Sequence, residues 1–233
     1  MRDYLIELHK KTQERKEYML YNVPVYILNK LPSSLNIINI LDIVKDELSV
    51  KLIENIDAIY VGKFKELDDR ALDAMFQDGA IWISSDVDER FITEEIIANN
   101  IVHEVAHSLE DRYNHFIYED GNIEKEYHSK KYKLMEILKA EGYEVFFDLF
   151  FKLEYLSEFD RFLYKEVGYD KLALLSLGLF ITPYSVTTIR EYFGNGFQMY
   201  LSAEQNYLKD ISPTLYNKIK DLIDEIGENR NEI

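Results

Sequence analysis

TEEIIANNIVHEVAHSLEDRY, residues 93–113, is the stretch on which the reading of this chain turns. Thr93 can cap a helix. Glu94 and Glu95 fall in its first turn, where the helix dipole favours acids, and Ile96, Ile97, Ile101, Val102, Ala106 and Leu109 recur at helical spacing. Inside this helix stands His103-Glu104-Val105-Ala106-His107. Two histidines four residues apart lie one turn apart on one face, so both imidazoles can reach a single zinc ion at about 2.0–2.1 Å. Glu104 sits beside that face, where its carboxylate can reach a water at the metal without being a ligand. The plainer alternative is a half-exposed helix that two histidines and a glutamate merely decorate.

Upstream of this helix the pattern alternates. It predicts a helix near Tyr4 to Tyr18, a strand Val23 to Leu28, a helix near Leu35 to Ile53 and a strand Ala58 to Phe64. Asp78-Gly79 marks a turn, and Ala80 to Ser84 after it is short, β-branched and aromatic, as a strand should be. That strand is read as a sheet edge with which an extended peptide could pair its backbone. Beyond Thr93 the pattern is helical throughout. Ser212-Pro213 opens the last helix as N-cap and first-turn proline, Gly227 closes it, and the remaining residues form a frayed tail. The class expected is therefore α+β, with a small mixed sheet in the N-terminal half and a helical C-terminal half. With no linker-like tract, a single catalytic domain is expected over residues 1–233, with a sheet-bearing half over residues 1–113 and a helical half over residues 114–233.

Composition narrows the chemistry. Against 43 Asp and Glu the 233 residues carry 27 Lys and Arg, a formal charge of −16, and no basic block interrupts the excess. Phosphate contacts dominate nucleic-acid affinity, so nucleic acid is not expected as a partner. Steering would favour neutral or basic peptides instead, provided the cleft shares the average sign. There are no cysteines, which removes thiol nucleophiles, disulfides and thiolate metal sites together. A metal site here must be built from histidine and carboxylate. The first eighteen residues lack the apolar core of a secretory signal, and the longest apolar run, Leu172 to Ile181, is about half a membrane span. No membrane span is expected; the cytoplasm is the default location, with secretion or delivery as an effector the alternative.

A catalytic zinc takes three protein ligands and keeps one position open. The metzincin continuation H-E-x-x-H-x-x-G-x-x-H is excluded, because its glycine position is Glu110 and its last histidine position is Tyr113. His115 is too close along the same helix to fold back, and His9 and His128 have no supporting motif; all three read as surface or core histidines, which favours a carboxylate from a later helix. Glu191 is the candidate. Thr187 or Thr188 can cap a helix that places Glu191 in its first turns and Asn195 on the same face one turn later. Gly194 and Gly196 on that helix each cost about 1 kcal/mol relative to alanine, which predicts close backbone packing, with the His103 helix as the expected neighbour.

Taken together, His103-Glu104-x-x-His107 with Ser108-Leu109-Glu110-Asp111, then Ser129-Lys130-Lys131-Tyr132 through Ala140-Glu141-Gly142, then Tyr184 seven residues before Glu191-Tyr192-Phe193, resemble a known family. It is the gluzincin family of the anthrax lethal factor metallopeptidase domain, which includes small secreted Pro-Pro endopeptidases. Ser212-Pro213-Thr214-Leu215-Tyr216 with Ile219 resembles the family's closing helix, and the similarity covers roughly residues 57–226. The resemblance implies a zincin-like fold and a zinc-dependent endopeptidase, with His103, His107 and Glu191 as metal ligands. It further implies Glu104 as general base and Tyr184 as the residue that stabilises the transition state. Two departures stand out. Where the family usually has an acid, this chain has Asn195, which brings no charge, so orientation of a zinc-binding histidine falls to another residue, with Asp111 a candidate. Tyr143 to Phe180 is an inserted helical segment dense in Phe, Tyr and Leu; it reads either as extra core or as a lid or protein-docking surface.

The substrate class expected is peptide or protein. The competing reading from a different class is a degenerate zincin that binds a protein partner without catalysis. An intact Glu104 and Tyr184 favour the enzyme, since a binding module needs neither a base nor an oxyanion donor.

Overall fold

The computed structural model describes residues 16–70, 72–85 and 92–228. The fold class is α+β, with a five-stranded mixed sheet in the N-terminal half and helices in the C-terminal half. The chain packs as two compact units that divide in sequence between Arg112 and Tyr113.

In the first unit, β1 (Lys16–Leu20) and β2 (Val23–Ile27) form an antiparallel hairpin whose turn residue Tyr21 has φ of 54°. Parallel β3 (Ala58–Gly62) follows, then β5 (Ala80–Ser84), and β4 (Ala74–Gln77) lies antiparallel outside β5. The order is β1-β2-β3-β5-β4. The strand predicted as an edge is therefore interior: β5 has neighbours on both sides, and among the described residues β1 and β4 are the edge strands. The sequence reading missed β4 because Ala-Met-Phe-Gln has no β-branched residue. Its partner turn was legible. Asp78 and Gly79 both have positive φ, 51° and 76°, as a two-residue hairpin turn demands.

The two faces of the sheet differ. Val25, Ile59 and Ile81 share one register row, Ile27, Val61 and Ile83 another, and all six are buried. On the opposite face Tyr26, Tyr60 and Trp82 stack across three strands with centroids 5.4 and 4.5 Å apart, and Phe64 meets Trp82 edge-on at 5.1 Å. α1 (Ile37–Glu47) buries Ile37, Ile40, Leu41 and Val44, and Asn36 caps it by accepting from the Ile38 amide. It stops earlier than predicted. Leu48, Leu52, Ile53 and Ile56 are buried from turns, so they imitate a helical stripe without extending the helix. The predicted helix near Tyr4 to Tyr18 is also corrected at its end, since β1 begins at Lys16; the residues before that lie outside the described ones.

A short α2 (Lys65–Arg70) precedes β4. α3 (Glu94–Tyr118) begins as its sequence predicts, with Thr93 Oγ1 accepting from the Ile96 amide. Glu94 reaches back to the Asn36 amide and the Asn39 side chain, tying the start of α3 to the start of α1. α3 kinks at Tyr113, whose φ and ψ of −108° and 22° leave the helical range.

The second unit is built on α4 (Asn122–Ala140), with α8 (Ile189–Leu201), α9 (Gln205–Ile211) and α10 (Pro213–Glu228). Leu215, Ile219, Leu222 and Ile226 make the buried stripe of α10. Its N-terminus differs in detail from the sequence reading. Ser212 occupies the cap position, but its hydroxyl accepts from Lys130, and the carboxylate of Glu126 takes the Thr214 and Leu215 amides instead. Gly227, expected to close this helix and begin the tail, is helical, as is Glu228; the rest of the expected tail lies outside the described residues.

The segment 143–180 is not one helix. It breaks into α5 (Phe147–Phe150), α6 (Ser157–Arg161), a π-helical stretch Phe162–Val167 and α7 (Tyr169–Leu175), with Gly168 at φ 80° as the break before α7. Phe150, Phe159 and Phe162 form a buried edge-to-face cluster. Beneath it Lys131, fully buried, donates to the Lys152 carbonyl at 3.1 Å and lies 4.2 Å from the Phe159 ring centroid. The outer residues Phe146, Phe147, Tyr155, Tyr164, Leu174 and Leu177 are exposed. Among the described residues no helix is long and apolar enough to cross a membrane.

Candidate metal centre

On α3 the two motif histidines present neighbouring rings, with centroids 4.8 Å apart and planes at 85°. His107 is buried, and its Nδ1 lies 3.1 Å from Oε2 of Glu110, itself 1% exposed. A carboxylate on Nδ1 holds the proton there and leaves Nε2 as the lone-pair donor, the orientation a metal ligand needs. The residue that does this is Glu110, where the sequence reading had named Asp111. Positions i+3 and i+4 both neighbour i on a helix; from His107 these are Glu110, which is buried, and Asp111, which is exposed. Glu104 is buried between these turns at 6% exposure.

On α8 the cap is Thr188, whose Oγ1 accepts from the Glu191 amide at 3.0 Å. Glu191 thus falls in the first turn, as predicted. Close packing at Gly196 has a different neighbour from the one expected: a Cβ there would stand 3.0 Å from Cγ of Leu215 and 3.5 Å from Cδ1 of Ile219, both on α10. Tyr184 opens a 3₁₀ turn, Tyr184–Val186, directly after Pro183. Its carbonyl accepts from Thr187 Oγ1 at 2.7 Å, and the next carbonyl but one, Val186, accepts from the buried Tyr127 hydroxyl at 2.7 Å. Burial, with the negative charge of Glu191 adding to it, pushes the Tyr127 phenol well up. It is therefore a fixed donor.

His103, His107 and Glu191 form a group in which one ligand atom from each lies within 4.8 Å of the others, a set that could hold a metal ion. Two neutral imidazoles and a carboxylate are a zinc-type donor set, and the Glu110 contact completes one histidine's orientation. The remaining described histidines are elsewhere. His115 is exposed beside Glu119, and His128 stacks on Phe151.

A polar cavity of about 810 Å³ lies in the second unit, lined among others by Glu126, Lys130, Asp210, Thr214 and Lys218. None of the predicted site residues lines it. Lys130 is spent within the fold, donating to the Leu179 and Ile211 carbonyls at 2.6 Å and to Ser212 Oγ at 2.7 Å.

Sequence reasoning missed Glu110 and Tyr127; it allowed Asn195 a hydrogen bond to a ligand or a neighbour but not its partners, Thr182 and the Glu191 carbonyl. Glu110 had a signal, since an acid at i+3 from a ligand histidine shares its face; Tyr127 had none, being one tyrosine among eighteen. Compared with protein-family models, with curated proteins and with solved structures, the chain gave no match.

Proposed function

We propose that this chain is a zinc-dependent endopeptidase of the gluzincin type with a zincin-like fold, its zinc held by His103, His107 and Glu191. The observation that carries the reading is the convergence of those three donors, with Glu110 set behind His107. Zinc, when bound, supplies Lewis acidity that lowers the pKa of a water toward about 7 and offsets negative charge on a carbonyl oxygen.

The chain's own residues do the rest. Glu104, next to the first histidine and outside the ligand set, takes a proton from the attacking water and passes it to the leaving amine. Tyr184 donates a hydrogen bond to the oxyanion of the tetrahedral intermediate, a type of donor whose removal typically costs about 10²–10³ in rate. A peptide or protein is the substrate.

The test combines metal analysis with cleavage of a mixed peptide library by the wild type and Glu104→Gln. One equivalent of zinc in both, with cleavage lost only in the variant, supports the proposal. Full zinc with no cleavage by the wild type would favour a binding module instead. Glu191→Ala should deplete the metal; retention of zinc at wild-type affinity would remove Glu191 from the ligand set.

A further inference from the structure

We propose that Asn195 is a positioning residue that clamps the Tyr184 turn onto the helix carrying Glu191. Its side-chain amide makes two bonds in opposite directions. Nδ2 donates to the Glu191 carbonyl at 2.7 Å, one turn back along α8, and Oδ1 accepts from Thr182 Oγ1 at 3.1 Å. Thr182 belongs to the loop before α8. Its hydroxyl has one hydrogen, spent on Asn195, and two lone pairs. These accept from the Ser185 amide at 3.1 Å and, the hydrogen being spent, from the Ser185 hydroxyl at 3.0 Å. Every donor and acceptor on Thr182 Oγ1 is thereby used.

Ser185 is fully buried and directly follows Tyr184, so the bonds run without a gap from the residue beside Tyr184 to the backbone of Glu191. The direction of each bond fixes the next, and the Asn195 amide has one orientation that satisfies both ends. An aspartate at 195 would face the Glu191 carbonyl with an acceptor instead of a donor. That is the physical reason an amide and not an acid stands at this position: here the side chain serves the loop and the helix backbone. The clamp itself stands on these contacts; its catalytic consequence rests on the peptidase reading, with Tyr184 as oxyanion donor.

Two readouts separate the clamp from that reading. By hydrogen–deuterium exchange, Asn195→Ala and Thr182→Val should each speed exchange of the Ser185, Val186 and Thr187 amides about tenfold, roughly what one neutral hydrogen bond sustains. The amides of Glu191 and Tyr192 should be unchanged. In peptide cleavage, Asn195→Ala should lower kcat about tenfold with KM and zinc content at wild-type values, and add nothing in a Tyr184→Phe background. Faster exchange in a protein that cleaves no peptide upholds the clamp and removes only the peptidase reading. Unchanged exchange in both variants overturns the clamp. A kcat loss that multiplies with that of Tyr184→Phe, or a loss of zinc, overturns the assignment of Asn195 to Tyr184. Thr182→Val leaves α8 untouched, so it reports even if Asn195→Ala fails to fold.

Discussion

Lys131→Met should make this protein more stable at neutral pH. Lys131 is fully buried; among the described residues it donates to the Lys152 carbonyl and faces the rings of Phe159 and Tyr127. Burial lowers the ammonium pKa from 10.5 to about 7. The folded state thus holds this proton more weakly than the unfolded chain does. Between about pH 7 and 10.5 the unfolded state binds more protons, so stability rises with pH there; below about 7 both states are protonated and the penalty is complete. At about 1.4 kcal/mol per decade the penalty approaches 5 kcal/mol, an upper bound that structural relaxation reduces. Methionine fills a similar volume without the charge. Urea unfolding of both proteins at pH 7, 8, 9 and 10 measures the difference directly. The variant should lead by a few kcal/mol at pH 7, and the lead should shrink steadily toward pH 10. A variant less stable than wild type at pH 7, or a difference that does not change with pH, would refute the argument.

The neighbouring lysine should behave in the opposite way. Lys130→Met leaves the Leu179 and Ile211 carbonyls and the Ser212 hydroxyl without their donor, so urea unfolding should show a loss of about 3 kcal/mol. Gly196→Ala pushes a methyl group against Leu215 on α10 and should cost about 1–3 kcal/mol in the same assay. Glu110→Ala frees the His107 ring, and on the proposed zinc reading chelator competition should show metal affinity weakened about 10–100-fold.

What the sequence made legible was local. Thr93 and the isoleucine spacing place the start of α3, Thr188 places Glu191, and Asp78-Gly79 places the hairpin before β5; each rests on residues within one turn of one another. What it hid depends on partners far along the chain. β4 is a strand because β5 lies beside it, and Leu48, Leu52 and Ile53 are buried by tertiary packing although no helix continues through them. The glycine at 196 announced a close approach but not to which helix. The orientation of His107 was within reach of pattern reasoning, since Glu110 lies three residues on; the role of Asn195 was not, because Thr182 reaches it from the preceding loop.

The aromatic stack of the sheet has an optical consequence. Trp82 is the only tryptophan in the chain, and it lies against Tyr60 on one side with Phe64 at its edge. Selectively excited indole emission therefore comes from the first unit alone, whose strands hold that ring. The helical unit contributes tyrosines and no indole. Denaturation followed at tryptophan wavelengths will report when β3 and β5 separate, and far-ultraviolet dichroism will report chiefly the helices. Two curves that coincide would mean the chain melts as one cooperative body; two that diverge would time the units independently, with no label added.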